Sequence, residues 1–220
     1  GVLLNRAMAQ LGLAAFRAGA MVTAHNCLDE LVNVGTRNGV LRVLLGQGSD
    51  AMHEQRAGEE ELRVLEERRV LPTHMWISCE CVEACYLLSC FFMDPAYMLA
   101  DLNSIYKVSA VFKRAFARFQ RKQLGSAQSE TVTRVMTAYD AILRSDWKTA
   151  EQQVAALKAW RAFSAPARAA VLAMLHERLQ RLALQAFLIR HAAVYGAVTV
   201  ELLAAMFGLS ASAIRSETNA

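Results

Sequence analysis

The stretch "VTVELLAAMFGLSASAIRSETNA", residues 198–220, predicts two short helices joined by a tight turn. Thr199 and Ser210 can each cap a helix, because a hydroxyl oxygen accepts a hydrogen bond from the free N–H groups at a helix start. Gly208 can end the first helix, because glycine readily adopts the left-handed conformation that follows many helices. The pattern is typical of the start of a helix-turn-helix or a winged helix.

Charge argues against DNA recognition by these two helices. Arg215 is the only cation in the stretch, and it is opposed by Glu201 and Glu217. Helices that recognise bases usually carry several cations in and around the major groove. We therefore expect the apolar residues to contact another protein subunit; the candidates are Leu202, Leu203, Met206, Leu209 and Ile214.

The composition predicts a packed helical protein. Of the 220 residues, 55% are hydrophobic and only three are proline, which is typical of a globular chain. Apolar residues recur with a helical period throughout, and sustained strand alternation is absent, so the predicted fold class is mainly α. The most apolar run, residues 84–93, is about half of what a bilayer requires, and we expect no membrane contact. The chain begins at Gly1 rather than Met, so we expect it to be part of a longer protein.

Two distant segments share the residue offsets of tetratricopeptide-type helical hairpins. The first set is Met8, Leu11, Gly12, Ala15, Gly19, Ala24 and Leu28. In the second segment, residues 141–154, Ser145–Trp147 takes the place of Gly19–Met21, and Ala150 takes the place of Ala24. Small residues at these offsets allow helices to pack closely. The two matches favour stacked hairpins over a compact bundle.

A long helix is predicted to join the hairpins to the terminal helix pair. Pro166 suits the first turn of a helix, and the apolar stripe that follows is Leu172, Leu175, Leu179, Leu182, Ala186 and Ile189. Residues 1–165 are therefore predicted to form a helical-repeat part. Residues 166–220 are predicted to form the long helix and the start of a winged helix, without its wing strands.

Four cysteines, Cys79, Cys81, Cys85 and Cys90, with His74 nearby, suggest a zinc site as one hypothesis. On a helix, however, Cys79 and Cys90 lie roughly 16 Å apart, too far to share one tetrahedral ion. Buried free thiols are the preferred interpretation. The sequence also lacks a nucleophile–base pair, paired catalytic carboxylates and a metalloprotease motif. We therefore expect neither enzymatic activity nor a cofactor.

The strongest charge feature is "IYKVSAVFKRAFARFQRKQ", residues 105–123, which contains no acid. Lys107, Arg114, Arg118 and Arg121 fall within a stripe of roughly 60° on a helical wheel, and the large apolar residues lie opposite. Aligned cations can neutralise phosphates without recognising a base sequence, which makes the stripe a candidate RNA contact. An ordinary solvated helix face remains the alternative. The candidate contact residues are Lys107, Lys113, Arg114, Arg118, Arg121 and Lys122.

Helical hairpins that lead through a long helix into a winged helix resemble the PCI domain, which the proteasome lid, the COP9 signalosome and initiation factor 3 share. Six stretches follow the order and approximate spacing of the family formed by the C subunit of eukaryotic translation initiation factor 3. They are "NRAMAQLGLAAFRAG", "AHNCLDEL", "LLGQG", "ECVEACYLLSCFFMDPAYM", "SDWK" and "FLIRHAAVYGAVTVELLAAMFGLS". The resemblance covers almost the whole chain. "NRAMAQLG", "LLGQG" and "SDWK" are its most specific motifs.

The resemblance implies a non-catalytic, cytoplasmic scaffold that assembles with other PCI and MPN subunits. It implies that the assembled factor binds the small (40S) ribosomal subunit, including its RNA and proteins, and that other initiation factors bind regions outside this chain. Two alternatives remain at this point: a PCI subunit of the proteasome lid or signalosome, and a winged-helix regulator that binds nucleic acid.

Overall fold

The computed structural model describes residues 1–38, 41–47, 71–93, 110–121, 129–191 and 194–218. Within those ranges the chain forms α-helices and short 3₁₀ turns and no β-strand, so the predicted all-α class is confirmed. The helices are α1 (Val2–Arg17), α2 (Met21–Asn38), α3 (Leu41–Leu44), α4 (Cys79–Met93), α5 (Ala110–Gln120), α6 (Glu130–Leu143), α7 (Trp147–Ala155), α8 (Ala165–His191), α9 (Val200–Phe207) and α10 (Ala211–Thr218).

The contacts divide the chain into two compact units, Gly1–Tyr86 and Leu87–Ala220. This boundary falls inside α4. The division predicted from the sequence at residue 165 concerns another boundary, between the helical repeats and the winged-helix start, and it stays a prediction.

The two predicted hairpins end their first helices in the same way. Gly19 and Ser145 both adopt left-handed backbone conformations, with φ of 79° and 63°. Each is accompanied by the pair of reversed hydrogen bonds that closes a helix C-terminus. These bonds run from Ala20 N to Ala15 O, Gly19 N to Phe16 O, Asp146 N to Ala141 O and Ser145 N to Ile142 O. The correspondence of Ser145 with Gly19, inferred from spacing alone, therefore holds in backbone geometry.

Small residues bring the paired helices together. A Cβ on Gly12 would lie 2.5 Å from Cδ2 of Leu28, so only glycine lets α2 approach α1 this closely. Ala24 in α2 and its counterpart Ala150 in α7 are both fully buried. The predicted use of small residues at the hairpin interfaces is confirmed at these positions.

Two of the specific sequence motifs meet in the first unit. Asn5 of "NRAMAQLG" donates from Nδ2 to the Leu44 carbonyl at 3.0 Å, and Arg6 donates from Nη1 to the Leu45 carbonyl at 3.1 Å. These carbonyls lie at the C-terminal end of α3, where a helix leaves its acceptors unpaired. Gly46 of "LLGQG" then turns the chain with φ of 70°. The two motifs therefore contact each other directly in the folded chain.

A polar cluster joins α2 to the first half of α4. Asp29 Oδ1 accepts hydrogen bonds from the Tyr86 hydroxyl and from Asn33 Nδ2, both at 2.7 Å. The His25 ring stacks on Tyr86, with ring centroids 5.5 Å apart. Tyr86 is fully buried, and its hydroxyl is satisfied by this acceptor, as a buried polar group requires.

In the second unit α8 packs against α6 and α7. Leu175, Leu179, Leu182 and Ala186 of the predicted stripe are buried, whereas Leu172 and Ile189 at its ends are half-buried. Beyond Leu182 the helix buries several faces; Ala183, Leu184, Ala186 and Phe187 all lie in the core. This part of the helix therefore has neighbours on more than one side, as its all-round apolar sequence predicts.

One segment of the described chain, Thr73–Met93, is long and apolar enough to cross a membrane by length and composition. However, 61% of its most apolar window is buried inside the protein. Its α-helical part has only 15 residues, fewer than the roughly 20 that a membrane span needs. It also contains Glu80 and Glu83. These features are typical of a core helix.

Ser145→Gly is expected to stabilise the protein by about 0.5–1 kcal/mol. A residue with a Cβ destabilises the folded state by roughly 1–2 kcal/mol when it adopts the left-handed conformation. Glycine avoids this cost, but its greater conformational entropy in the unfolded state cancels part of the gain. The Ser145 hydroxyl is also buried without a hydrogen-bond partner in the structure, so removing it breaks no hydrogen bond. Urea unfolding of the purified protein measures the change.

Gly19→Ser provides the matched reverse change at the equivalent turn, and it is expected to destabilise by a similar amount. Equal stability of both variants and the parent protein would contradict the left-handed assignment at these turns.

Candidate functional site

Helix α5 separates its cations from its aromatic residues. Phe112 is buried and meets the Tyr139 ring of α6 edge-on, with centroids 5.2 Å apart. Phe116 makes the same kind of contact with Tyr139 at 4.8 Å. Such edge-to-face pairs add stability beyond the burial of their area. The aromatic face therefore anchors α5 to α6, as the sequence predicts, and does not present free rings for base stacking.

The opposite face of α5 carries the described part of the basic stripe. Arg114, Arg118 and Arg121, which directly follows α5, are all exposed; Lys113 is exposed as well but lies outside the stripe. Arg114 and Arg121 are separated by roughly 10 Å along the helix axis, and Arg118 lies between them. Lys107 and Lys122, the other two predicted contact residues, lie outside the described residues. A rigid helix bearing aligned cations can contact several phosphates of one RNA strand.

The terminal helix pair forms with the predicted caps. The Leu202 amide donates to Thr199 Oγ1 at 3.4 Å, and the Ala213 amide donates to Ser210 Oγ at 3.2 Å. Gly208 ends α9 with φ of 67°. The two capped helices and the tight turn predicted from the sequence are therefore present as α9 and α10, and their role as the start of a winged helix stays a prediction.

Burial divides the five residues predicted to contact another subunit into three groups. Leu203 and Ile214 are buried in the chain's own core, so they cannot also contact another subunit. Leu209 is half-buried. Leu202 and Met206 remain 53% and 43% exposed, and they lie about one helical turn apart on α9. The predicted interface therefore narrows to the outer face of α9.

Two further exposed apolar residues precede α9 and escaped the sequence analysis. Val194 is 71% exposed and Tyr195 is 52% exposed. The Tyr195 ring stacks on Phe187 of α8, with centroids 5.9 Å apart. Gly196 directly follows them, and a glycine indicates a break between helices without showing which neighbouring side chains are exposed.

Trp147 of the "SDWK" motif holds the terminal pair in place. Its indole Nε1 donates to the Met206 carbonyl at 3.1 Å, near the end of α9. Gly208 lies close to the same site; a Cβ there would be 3.0 Å from Gln180 Nε2 and 3.7 Å from Trp147 Cζ2. Gly208 is thus required both by its left-handed conformation and by the close approach of its neighbours.

The rest of the "SDWK" segment fixes the position of Trp147. Asp146 caps α7 by accepting a hydrogen bond from the Thr149 amide at 3.1 Å. Hydrogen bonds from Thr149 lower the pKa of Asp146 below its ordinary value, so the cap is ionised at neutral pH. The Trp147 ring also meets His176 of α8 edge-on at 5.6 Å, and His176 Nδ1 lies 2.6 Å from Glu151 Oε1.

Polar contacts to α8 hold the C-terminal end of α10 in place. Glu217 accepts a hydrogen bond from Gln185 Nε2 at 2.6 Å and lies 3.7 Å from Arg181 Nη1. These residues border a cleft of about 420 Å³ that is also lined by Phe92, Met174 and Leu182. The charged residues that line it are Glu177, Arg178, Arg181 and Glu217.

The cysteines lie within the core. Cys81, Cys85 and Cys90 are buried, and Cys79 is half-buried. Burial raises the pKa of the Cys85 thiol well above its ordinary value, and the neighbouring Cys81 adds to this effect. Such a thiol stays protonated and unreactive at neutral pH. Over the described ranges, no three His, Cys, Asp or Glu side chains come together in a way that could hold a metal ion.

Trp147→Phe is expected to loosen the terminal helix pair without unfolding the second unit. A hydrogen bond of this kind contributes about 0.5–1 kcal/mol, so amide exchange across Val200–Thr218 should accelerate roughly two- to fivefold. Hydrogen–deuterium exchange with mass spectrometry measures the effect.

Trp160→Phe is the matched control, because its indole also donates to a backbone carbonyl, that of Val154, at 2.7 Å. It should leave exchange in α9 and α10 unchanged. If Trp147→Phe also leaves amide exchange in α9 and α10 unchanged, Trp147 does not hold the terminal helix pair in place.

Comparison with known proteins assigns the chain to a family. Residues 1–105 match the family model described as the N-terminus of eukaryotic translation initiation factor 3 subunit 8. The C subunit of eukaryotic translation initiation factor 3 from Aspergillus clavatus is 32% identical over 213 residues, which is 95% of this chain and 24% of that protein. The corresponding protein of Yarrowia lipolytica is 32% identical over 212 residues, 94% of this chain and 24% of that protein.

A third relative, the same protein from Botryotinia fuckeliana, is 31% identical over 214 residues. The chain thus spans about a quarter of the length of the relatives it matches. The matches agree on one subunit and extend over nearly all of the sequence, including both structural units. The chain belongs to the family formed by the C subunit of eukaryotic translation initiation factor 3.

Proposed function

We propose that this chain is a non-catalytic scaffold segment of initiation factor 3, operating in the cytoplasm. In this proposal α8, α9 and α10 are the start of a PCI winged helix, and the outer face of α9 contacts a neighbouring PCI or MPN subunit. The exposed face of α5 contacts the small ribosomal subunit. The family assignment supports membership of the factor, and it removes the reason to assign the chain to the proteasome lid or signalosome.

The proposed contact with a neighbouring subunit is supported chiefly by the exposure of Leu202 and Met206. They lie on a helix whose other side packs against the rest of the second unit. Leu203 and Phe207 of α9 are buried in the core, and the Trp147 indole holds the Met206 carbonyl. The exposed side chains are therefore presented on a rigid support. Large apolar side chains held in this way are typical of protein interfaces.

The ribosome contact is supported by the division of α5 into an anchored aromatic face and an exposed cationic face. Because Phe112 and Phe116 pack against Tyr139, the helix cannot rotate to bury its cations. Phosphate contacts made by such a face would add affinity without base specificity. A winged-helix regulator would instead need cations on α10, where Arg215 is the only one.

Changing Arg114, Arg118 and Arg121 together to Glu is expected to weaken binding of the assembled factor to small ribosomal subunits at least tenfold. Each lost phosphate contact should also lower the slope of log affinity against log salt by about one. Co-sedimentation across a salt series measures both quantities.

A matched variant changes Arg161, Arg168 and Arg215 to Glu. These three arginines are also exposed, so the total charge changes equally at positions away from α5. This control should bind nearly normally. Equal binding by the two triple variants would remove α5 from the ribosome contact.

Leu202→Asp combined with Met206→Asp is expected to weaken binding to the neighbouring subunit at least tenfold while leaving the fold intact, because both side chains are exposed. Pull-down with the purified neighbouring subunit measures binding, and circular dichroism verifies folding.

Ala169→Asp combined with Ala173→Asp is the control for this pair. Both alanines are exposed on α8 with the same four-residue spacing. Normal binding by the α9 variant would show that the neighbouring subunit binds elsewhere. Specific duplex DNA binding at physiological salt would instead favour the regulator alternative.

A further inference from the structure

Trp147, whose indole holds the Met206 carbonyl at the end of α9, is itself only half-buried. A tryptophan ring that is open to solvent on one side can change its side-chain torsions unless neighbouring groups restrain it. The orientation of the ring matters, because an indole has a single N–H donor and a hydrogen bond weakens steeply when its donor is misaligned. The groups that restrain the Trp147 ring therefore decide how firmly the end of α9 is held.

His176 of α8 provides such a restraint. Its ring meets the Trp147 ring edge-on, with centroids 5.6 Å apart and an angle of 82° between the ring planes. Edge-to-face pairs of this kind are favourable beyond the area that they bury. Lys148 Nζ also lies 5.7 Å from the centroid of the Trp147 ring, but this lysine is exposed, so its attraction to the ring is weak. His176 therefore links the ring to α8, the helix against which α9 also packs.

Glu151 fixes the orientation of the His176 ring. Its Oε1 atom lies 2.6 Å from His176 Nδ1. A carboxylate oxygen only accepts hydrogen bonds, so the Nδ1 nitrogen carries a proton and donates it to this bond. In metal sites the same arrangement, in which one ring nitrogen donates to a carboxylate, orients the coordinating histidine. Rotation of the His176 ring would break the bond to Glu151, so this bond keeps the imidazole in its contact with Trp147.

The spacing of these residues joins three helices. Glu151 follows Trp147 by four residues on α7, so the two side chains are neighbours on one face of that helix, and His176 contacts both. Gln180 follows His176 by four residues on α8 and lies beside Gly208, where a Cβ would be 3.0 Å from its Nε2. One side of α8 therefore contacts both the start of α7 and the end of α9.

The remaining contacts of α9 do not determine its orientation to the same degree. Leu203 and Phe207 are buried, and the Phe207 ring lies 5.7 Å from the ring of Phe187. Burial of apolar surface is non-directional, so it holds α9 against the core without fixing its rotation. The hydrogen bond from Trp147 to the Met206 carbonyl is directional. A change in the Trp147 ring would therefore alter the direction in which α9 presents its exposed side chains.

We propose that His176, held by Glu151, is the positioning residue of the subunit-binding surface on α9. It keeps the Trp147 indole in the orientation that holds the Met206 carbonyl. The direction of the exposed Leu202 and Met206 side chains therefore depends on how α7 packs against α8, and not on α9 alone. This inference rests on the proposed contact of α9 with a neighbouring subunit, and it adds the residues that control that contact.

Hydrogen–deuterium exchange of the purified protein tests the positioning role. His176→Ala should accelerate amide exchange across α9 and α10 roughly two- to fivefold, because it removes the restraint on the Trp147 ring. Glu151→Leu, which leaves the imidazole but removes its acceptor, should also accelerate exchange. Glu151→Gln retains an acceptor oxygen and should leave exchange close to that of the parent protein. Acceleration by Glu151→Gln as large as that by Glu151→Leu would contradict the role of this hydrogen bond.

A double variant shows whether His176 acts through Trp147. In a protein that already carries Trp147→Phe, the indole donor is absent. His176→Ala should then cause no further acceleration in α9 and α10, because the bond that it supports is already lost. Additive effects of the two changes would show that His176 stabilises the second unit by another route, and they would overturn the proposal.

His25→Ala is the matched control, because His25 also combines an aromatic contact with a nearby carboxylate. Its ring stacks on Tyr86, with centroids 5.5 Å apart, and its Nε2 lies 3.8 Å from Asp29 Oδ1. These residues belong to the first unit. His25→Ala should leave exchange in α9 and α10 unchanged. Acceleration equal to that of His176→Ala would indicate a general loss of stability and would contradict a specific role of His176.

Pull-down with the neighbouring subunit separates this proposal from the contact on which it rests. His176→Ala should weaken binding roughly two- to fivefold, because a surface that must be ordered on binding loses affinity. If Leu202→Asp with Met206→Asp leaves binding normal, the proposed contact is wrong, and the exchange rates alone decide on His176. If that pair abolishes binding while His176→Ala changes neither exchange nor binding, the contact stands and the positioning role is wrong.

Discussion

The hydrogen bond from the Trp147 indole to the Met206 carbonyl is the contact on which the proposed functional surface of the second unit depends. It joins the α6–α7 hairpin to the end of α9, which are far apart in sequence. Asp146 fixes the start of α7, and the left-handed Ser145 sets the direction from which Trp147 approaches. Because one side of α9 is held in this way, its other side, bearing Leu202 and Met206, is left exposed.

The specific sequence motifs have structural roles. Asn5 and Arg6 of "NRAMAQLG" satisfy the carbonyls that end α3 in "LLGQG", and "SDWK" holds the terminal helices. Each motif therefore preserves a contact between segments. The motif "SDWK" positions the apolar outer face of α9, whereas the cationic face of α5 is set by the packing of Phe112 and Phe116 against Tyr139.

Local features of the fold could be predicted from the sequence because their causes are local. Thr199, Gly208 and Ser210 mark helix ends through hydrogen bonds to nearby backbone groups, and Gly19 and Ser145 mark equivalent turns. The aromatic and cationic faces of α5 also followed from periodicity alone. Contacts between distant segments, such as Trp147 with Met206, leave no such pattern in one sequence. For the same reason, Leu203 and Ile214 could not be distinguished from Leu202 and Met206 before the core was known.

The most direct test of the central contact is the exchange rate of the Trp147 indole proton, measured by ¹⁵N NMR on folded protein. The Trp76 indole, which donates to the Leu71 carbonyl beside an exposed ring, provides an internal comparison. A bond that holds α9 in place predicts that the Trp147 indole exchanges far more slowly than the Trp76 indole, at a rate that follows the opening of α9 and α10. Exchange of the Trp147 indole as fast as that of free indole would show that α9 is held by other contacts.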